Sequence, residues 1–254
     1  MLSYRLALTS NHVHKAQQQR RQIISSMGMV FGRMGGIEEP AFSVLLDRQG
    51  AALPYEIREY GTRFAIETYF GTDNADRSPF MKLAGFIGVG SAPKNDGGRA
   101  IAMTAPVAMQ RDHSGGQKIS MTAPVVMEGE GGTDSGAPRK MQFILPREFD
   151  AMDKIPKPSD PDVTVVELPP SRGAVHRYSG RFSEKDARGK AEKLVAQLKA
   201  DGLEKFDEKK ALDTHQFWGF NPPFTLPAFR RNEVWIELSK EDAKNLEAKV
   251  GANE

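Results

Sequence analysis

Short segments in which apolar and polar residues alternate recur along this chain, and a period of two is typical of half-buried β-strands. Five of these segments precede helical patterns, three in the first half of the chain and two in the second: 42–46, 55–60, 64–70, 163–168 and 174–178. Further strand patterns follow the helical ones, at 118–125, 141–145, 217–220 and 233–238. The pattern predicts strands both before and after a helix in each half.

Two segments have the spacing of three and four residues that places apolar side chains on one face of a helix. In the first segment these residues are Phe80, Leu83, Ala84 and Ile87. The second segment begins after the capping residue Ser183 and stops at Gly202. Its apolar residues are Ala187, Ala191, Leu194, Val195 and Leu198.

The two halves of the chain therefore follow the same plan. We predict an α+β fold in which a pseudo-twofold duplicated unit forms one curved antiparallel β-sheet, a distorted barrel, with two packed α-helices. We expect the halves to form a single domain, because each half of the sheet alone would leave an apolar face open to water.

One phrase occurs twice in the chain. Residues 101–109 read IAMTAPVAM and residues 119–127 read ISMTAPVVM, with seven of nine positions identical. Each copy alternates small and apolar residues before a proline, which cannot donate to a strand ladder. We expect each copy to be a strand that ends at its proline, and the two copies to be neighbours in the sheet.

This phrase resembles the most recognisable strand of the SOUL family of haem-binding proteins. Other segments resemble that family in the same order: YEIREY at 55–60, MQFILP at 141–146, IPKP at 155–158, FNPP at 220–223 and RRNEVW at 230–235. The resemblance implies a SOUL-like haem-binding domain over residues 37–240. It also implies that the bound ligand, and the expected partner, is haem or another tetrapyrrole.

The segments outside that domain have different compositions. Residues 1–36 contain no Asp or Glu but five Lys and Arg, which indicates a disordered or targeting-like leader. Residues 241–254 are predicted to be a polar, helical C-terminal tail that the fold does not need. We expect a cytoplasmic protein, with an organelle as the alternative if the leader is a transit segment.

Composition excludes several other classes of function. The formal net charge is only +2, from 35 basic and 33 acidic residues, so no overall field would steer the protein to nucleic acid or to an anionic membrane. The absence of cysteine excludes disulfides and thiolate ligation of a metal. No apolar run approaches the roughly 20 residues of a membrane span, so we expect a soluble protein that binds no nucleic acid.

The first helix is the candidate ligand platform. A porphyrin has two apolar faces and two propionates, so its site needs an apolar wall and a cation at the rim. The helix offers Lys82 as that cation and Met81 as an adaptable, polarizable contact. The wall residues are Phe80, Leu83, Ala84 and Ile87. The family resemblance adds an aromatic residue near the Pro-Pro turn, which here is Phe220.

No metal site is predicted. In one branch of the SOUL family, the strand that resembles 55–60 carries a histidine proposed as an axial haem ligand, and this chain has Glu59 there. None of its histidines outside the leader has a paired metal spacing: His113, His176 and His215. We therefore expect capture of the macrocycle mainly through an apolar cleft, with weak or no ligation of iron.

Carboxylates leave a second function open. Glu56, Glu67 and Glu233 lie in strand patterns, and a carboxylate buried in a cleft is a common acid or base. Arginines close to them in sequence favour structural ion pairs instead: Arg58, Arg230 and Arg231. No enzyme signature is recognised, which favours a binding protein for sequestration or transport. The alternative is an enzyme or sensor that acts on a small apolar or cationic compound.

Overall fold

The computed structural model describes residues 37–70, 79–111, 139–203, 206–222 and 224–251. In these parts of the chain, nine strands form one sheet and four helices cover one of its faces. The elements are β1 Phe42–Arg48, β2 Tyr55–Tyr60, β3 Arg63–Phe70, α1 Pro79–Ile87, β4 Val107–Arg111, β5 Arg139–Ile144, β6 Thr164–Leu168, β7 Ser171–Tyr178, α2 Glu184–Ala200, α3 Glu208–Thr214, β8 Gln216–Gly219, β9 Asn232–Glu237 and α4 Lys240–Gly251.

The sheet has the predicted pseudo-twofold symmetry. Its strand order is β1-β2-β7-β9-β8-β4-β5-β3-β6, and all neighbours are antiparallel. Strand β1 has no counterpart in the second half. The other strands form four equivalent pairs: β2 and β6, β3 and β7, β4 and β8, and β5 and β9. When the two members of every pair are exchanged, the order of these eight strands is reversed. The axis passes between β4 and β8. The predicted α+β class and the curved antiparallel sheet are confirmed.

The two halves are interlocked by their first strands. Strand β2 pairs with β7 of the second half, from Glu56↔Val175 to Tyr60↔Ser171. Strand β6 in turn pairs with β3 of the first half, from Arg63↔Leu168 to Glu67↔Thr164. Because each half completes the sheet of the other, neither half forms its own sheet.

The prediction of a strand before Pro106 is wrong. Strand β4 starts after this proline, at Val107, while residues 101–106 form no strand. Proline has no backbone N–H to donate to a neighbouring strand, but it is tolerated immediately before a strand. The hydrogen bonds of β4 therefore begin at Val107, the first residue after the proline that has an N–H. The second copy of the phrase, and the strand predicted at 118–125, lie outside the described residues.

Helix packing follows the predicted apolar stripes. Helix α1 lies on β3 and β5, and α2 lies on β7 and β9. The residues of the second stripe are all buried: Ala187, Ala191, Leu194, Val195 and Leu198. Ser183 caps α2 by accepting from the backbone N–H of Asp186 at 3.2 Å. The short helix α3 and the C-terminal α4 extend this layer beyond the two helices that the sequence indicated.

The opposite face of the sheet, which we call the helix-free face, carries an aromatic cluster. Trp218 and Trp235 stack at 5.4 Å with an interplanar angle of 7°, and Tyr60 packs edge-on against both. Gly173 on β7 makes room for this cluster, since a Cβ there would lie 2.4 Å from the Trp235 ring. Among the described residues, no helix has the length and apolar character needed to cross a bilayer.

Helix α4 occupies most of the segment that the sequence assigned to a polar tail. Its side chains Ala243, Leu246 and Val250 are buried, and Leu246, with no exposed surface, belongs to the same core as α2. The burial of these three side chains differs from the prediction that this segment is a tail that the fold does not need.

We predict that Leu246→Ala lowers the free energy of unfolding by about 2–5 kcal/mol, because it leaves a cavity under α4. Urea denaturation measures this change. Lys244→Ala, an exposed substitution on the same helix, serves as the control and should stay within about 0.5 kcal/mol of the wild type. An equally small effect of Leu246→Ala would mean that α4 contributes little to the fold.

Candidate functional site

A cavity of about 690 Å³ opens at the end of the β2–β7 pair. Its walls come from these two strands, from the loop at 220–231 between β8 and β9, and from the segment at 37–39 that precedes β1. Four aromatic residues contribute to the lining: Tyr55, Tyr178, Phe220 and Phe229. The rings of Tyr55 and Tyr178 themselves pack in the core under α2. The cavity thus lies on the helix-free side of the second half of the sheet.

A fully buried carboxylate lies next to this cavity. The alternation along β9 places Glu233 and Trp235 on the helix-free face, and Glu233 has no exposed surface. Arg58 donates to one carboxylate oxygen of Glu233 at 2.8 Å. Arg231 donates to the other from Nε at 2.9 Å, and its Nη2 forms an ion pair with the same oxygen at 2.8 Å. Both arginines line the cavity.

The ion pairs continue outwards from Glu233 on both sides. Arg58 Nε donates to Glu56 at 2.6 Å, and Arg231 Nη1 donates to both oxygens of Glu39 at 2.9 Å. Charges of opposite sign therefore alternate from Glu56 to Glu39. Burial by itself lowers the pKa of Arg58, but Glu233 and Glu56 more than offset this effect, so the pKa lies above its ordinary value. Arg58 stays charged.

Aromatic rings hold the arginines in place as well. The Arg231 guanidinium lies 3.7 Å from the centre of the Phe220 ring, and that of Arg58 lies 4.3 Å from the Phe42 ring. Planar guanidinium groups stack on aromatic faces and keep their edges available for hydrogen bonds. This stacking explains how Arg58 and Arg231 are fixed in orientation while they donate to carboxylates.

The cavity lining carries more positive than negative charge. Four arginines line it, Arg58, Arg177, Arg230 and Arg231, against two carboxylates, Glu39 and Glu56. Arg177 is exposed and forms no ion pair with any residue that the structure describes. The two carboxylates are already paired with Arg231 and Arg58. Because Glu233 also balances Arg58 and Arg231, Arg177 is the cation that an anionic ligand in this cavity would meet.

The tyrosines of the cavity remain neutral near neutral pH. Tyr55 donates its hydroxyl to Asp201 at 2.8 Å, and burial together with this carboxylate raises the pKa of Tyr55. Burial, with Asp186 nearby, raises the pKa of Tyr178 to about 12. Neither residue offers a phenolate to a metal.

The predicted residues of α1 lie elsewhere. Leu83, Ala84 and Ile87 are buried between α1 and the sheet, in a core with Phe143 of β5. Phe80 is partly buried and packs against Phe143 at 5.2 Å.

The outer side of α1 presents the other two predicted residues. Met81 is 57% exposed, and the Lys82 side chain is 13% exposed and forms an ion pair with Asp162 at 2.8 Å. Phe220, by contrast, lines the cavity and belongs to the aromatic cluster of the helix-free face. The structure thus does not bring Phe220 together with the α1 residues.

The histidines and Glu59 also lie away from the cavity lining. His176 and His215 are buried and each contacts a backbone carbonyl through Nδ1, that of Pro54 and Leu212 respectively. His113 is outside the described residues. Glu59 alternates with Arg58 along β2 and forms an ion pair with Arg172, so its side chain is on the opposite face. The described residues contain no cluster of His, Asp or Glu suited to a metal ion.

Sequence reasoning anticipated part of this site. Arg58 and Arg231 were identified as partners for strand carboxylates, and both pair with Glu233. Glu67, on the other half of the sheet, instead accepts from the Gln142 amide at 2.8 Å. Arg177 was missed, although its alternation with His176 along β7 is visible in the sequence. Its contribution to the site depends on the loop at 220–231 lining the same cavity, which no local pattern indicates.

Comparison with known families gives a match along most of the chain. The family model described as SOUL heme-binding protein matches residues 37–115 and 109–237. A search of curated proteins found no significant match.

A comparison with solved structures also found matches, two of which follow. The EcmrR C-terminal domain is 11% identical, with 74% of this chain and 99% of that chain covered and a TM-score of 0.44. A hydrolase encoded by lin2189 from Listeria innocua is 10% identical, with 74% and 93% covered and a TM-score of 0.44.

We predict that Glu233→Gln lowers the free energy of unfolding by about 3–5 kcal/mol, because it leaves two arginines without their shared buried counter-charge. Urea denaturation measures the loss. The control is Glu237→Gln, an exposed substitution on the same strand, which should change stability by less than about 0.5 kcal/mol. If the two variants behaved alike, Glu233 would not be what holds the arginines in place.

His176 predicts a pH dependence of stability. Burial lowers the pKa of His176 below its ordinary value of about 6.5, and nearby Lys190 and Lys193 add to this effect. The unfolded chain therefore binds the proton more readily, so stability present above about pH 6.5 is lost as the pH falls. His176→Gln should flatten the fall in urea midpoint between about pH 7 and pH 5. An unchanged slope would exclude His176 as its source.

Proposed function

The chain belongs to the SOUL heme-binding protein family, and from that premise we propose that it binds haem or a porphyrin in the cavity beside Phe220. The protein would sequester or carry the tetrapyrrole without transforming it. Capture would combine burial of the macrocycle against aromatic side chains with ion pairing of its propionates. The sequence predicted capture mainly through an apolar cleft. In the binding mode proposed from the cavity, arginines also take part directly by pairing with the propionates.

The composition of the cavity wall carries this proposal. Ligand pockets commonly measure about 300–1,000 Å³ and combine apolar walls with a few polar groups, and the volume of about 690 Å³ falls in that range. A tetrapyrrole requires flat apolar contacts and at least one cation for its carboxylates. Phe220 and Phe229 supply the flat apolar contacts. Arg177, which has no carboxylate partner among the described residues, supplies the cation.

The same wall argues that the macrocycle, and not the iron, is recognised. The lining residues include no His, Met or Cys, the side chains that most often ligate haem iron. Tyr55 and Tyr178 are held neutral, as described above. The residues therefore fit the faces and carboxylates of a tetrapyrrole, and we expect haemin and metal-free protoporphyrin to bind with affinities within about threefold of each other.

The outer side of α1 is the second proposed location. There, Phe80, Met81 and Lys82 would meet the ligand directly, while Leu83, Ala84 and Ile87 would support the helix from below. Lys82 would have to exchange Asp162 for a propionate. Because this exchange replaces one ion pair by another, Lys82 would contribute less than a cation without an existing counter-charge.

An enzyme or sensor that uses a cleft carboxylate is less well supported. Glu39, Glu56 and Glu233 all accept hydrogen bonds from arginines. A general base needs a lone pair directed at the proton that it removes, and Glu233 has no exposed surface. These contacts support a structural role for the carboxylates.

We predict that Arg177→Ala weakens protoporphyrin binding by about 1.5–3 kcal/mol, the usual contribution of a hydrogen bond to a charged group. Tryptophan quenching measures the affinity. The dimethyl ester of protoporphyrin, which lacks the carboxylates, should bind the variant and the wild type alike. Arg188→Ala, which removes an exposed arginine from α2, is the matched control and should leave both affinities unchanged.

Parallel titration of Lys82→Glu decides between the two locations. If Lys82→Glu weakens binding of the free acid while Arg177→Ala does not, the ligand lies on α1 and the cavity assignment is wrong. If wild-type protein binds neither haemin nor protoporphyrin, the proposed function itself fails.

A further inference from the structure

One loop exposes an unusual amount of apolar surface. Among the described residues, nine large apolar side chains are more than a third exposed, and three of them lie within six residues of the loop between β8 and β9. They are Phe224, Leu226 and Phe229, exposed by 55%, 45% and 50%. We call these three residues the apolar lip. Contiguous exposed apolar residues of this kind mark interaction sites more often than scattered ones do.

The loop is ordered with its apolar side chains outwards. Thr225, between two lip residues, is 1% exposed, its N–H donates to the Pro222 carbonyl at 3.0 Å, and its own carbonyl accepts from Arg230 Nε at 2.8 Å. The Phe229 N–H donates to the Leu226 carbonyl at 2.9 Å. The polar side chain is thus inside and the apolar ones are outside. Burial of apolar surface would favour the reverse, so this arrangement indicates a partner for the lip.

A basic groove adjoins the lip. The Gly180 N–H donates to the carbonyl of Pro227 in the lip loop at 2.9 Å, which holds the turn after β7 against that loop. From this turn to the middle of α2 runs a groove of about 440 Å³ that has four basic side chains and only Asp186 as an acidic one. The basic residues are Arg181, Lys185, Lys190 and Lys193. We call these four residues the basic groove.

We propose that the apolar lip and the basic groove together dock this protein on the surface of an anionic lipid bilayer. Apolar side chains beside Lys and Arg are the combination that binds the interface of such membranes, since the first enter the acyl boundary and the second attract the headgroups. The docking needs no tetrapyrrole and is independent of the proposed function. Phe229 and Ala228 also line the cavity, so a docked protein would present the cavity mouth to the bilayer.

Vesicle flotation with the ligand-free, full-length chain tests the proposal. We expect binding to phosphatidylcholine vesicles that contain phosphatidylglycerol, and at least about tenfold weaker binding to pure phosphatidylcholine. Phe224→Ser combined with Leu226→Ser should lower the partition coefficient on anionic vesicles at least about tenfold, because both apolar contacts are lost. Met152→Ser, which removes an apolar side chain as exposed as Leu226 but far along the chain from the lip, should have no effect.

The basic groove has its own charge-matched control. Lys185→Ala combined with Lys193→Ala should lower the partition coefficient about twenty-fivefold, at roughly fivefold for each cation near an anionic surface. Lys240→Ala combined with Lys244→Ala removes the same net charge from α4 and should lower it by less than about threefold. Circular dichroism of each variant checks that the fold is retained.

Three outcomes would overturn the proposal. The first is that the wild-type chain does not bind anionic vesicles. The second is that the lip variant binds as tightly as the wild type, which would leave general electrostatic attraction as the explanation. The third is that inorganic phosphate releases the protein from vesicles while sodium chloride of equal ionic strength does not, which would identify the groove as a site for soluble anions.

Discussion

The buried carboxylate of Glu233 between Arg58 and Arg231 is the interaction on which the second half of this molecule depends. A carboxylate without exposed surface is stable only when strong donors replace the lost water, and two guanidiniums do so here. Arg58 comes from β2 and Glu233 from β9, with β7 between them. The pair therefore ties the strand donated by the first half to the sheet of the second, across an intervening strand.

The chemistry of the two halves differs although their topology is the same. Each half buries a carboxylate on the helix-free face, but Glu67 accepts from an amide, whereas Glu233 accepts from two cations. Arg58 and Arg231 are balanced by Glu39, Glu56 and Glu233, and they stack on the rings of Phe42 and Phe220. The two halves thus share one topology, and the two arginines that hold Glu233 also line the cavity of the second half.

Local patterns predicted what depends on local order. The stripe from Ala187 to Leu198 and the period of two along the strands led to the correct fold class, because packing on one face fixes the period of a helix or strand. Burial of α4 was missed because the polar composition of residues 241–254 outweighed the spacing of Ala243, Leu246 and Val250. The cavity was missed because its walls are brought together by the β2–β7 pairing, a contact between residues more than a hundred positions apart.

The net charge does not describe how charge is distributed over the surface of this protein. A total of +2 conceals a surface on which Arg181, Lys185 and Lys193 face one acidic residue beside an apolar lip. The base of the lip loop is also fixed from within: the Phe220 N–H donates to the Arg231 carbonyl at 3.1 Å, and the Arg231 N–H donates to Asn221 Oδ1 at 2.6 Å. Arg231 is itself held by Glu233, so the buried carboxylate that fixes one wall of the cavity also fixes the base of the loop that carries the lip. The cavity wall and the base of the lip loop therefore share Arg231, and with it the buried ion pairs of Glu233.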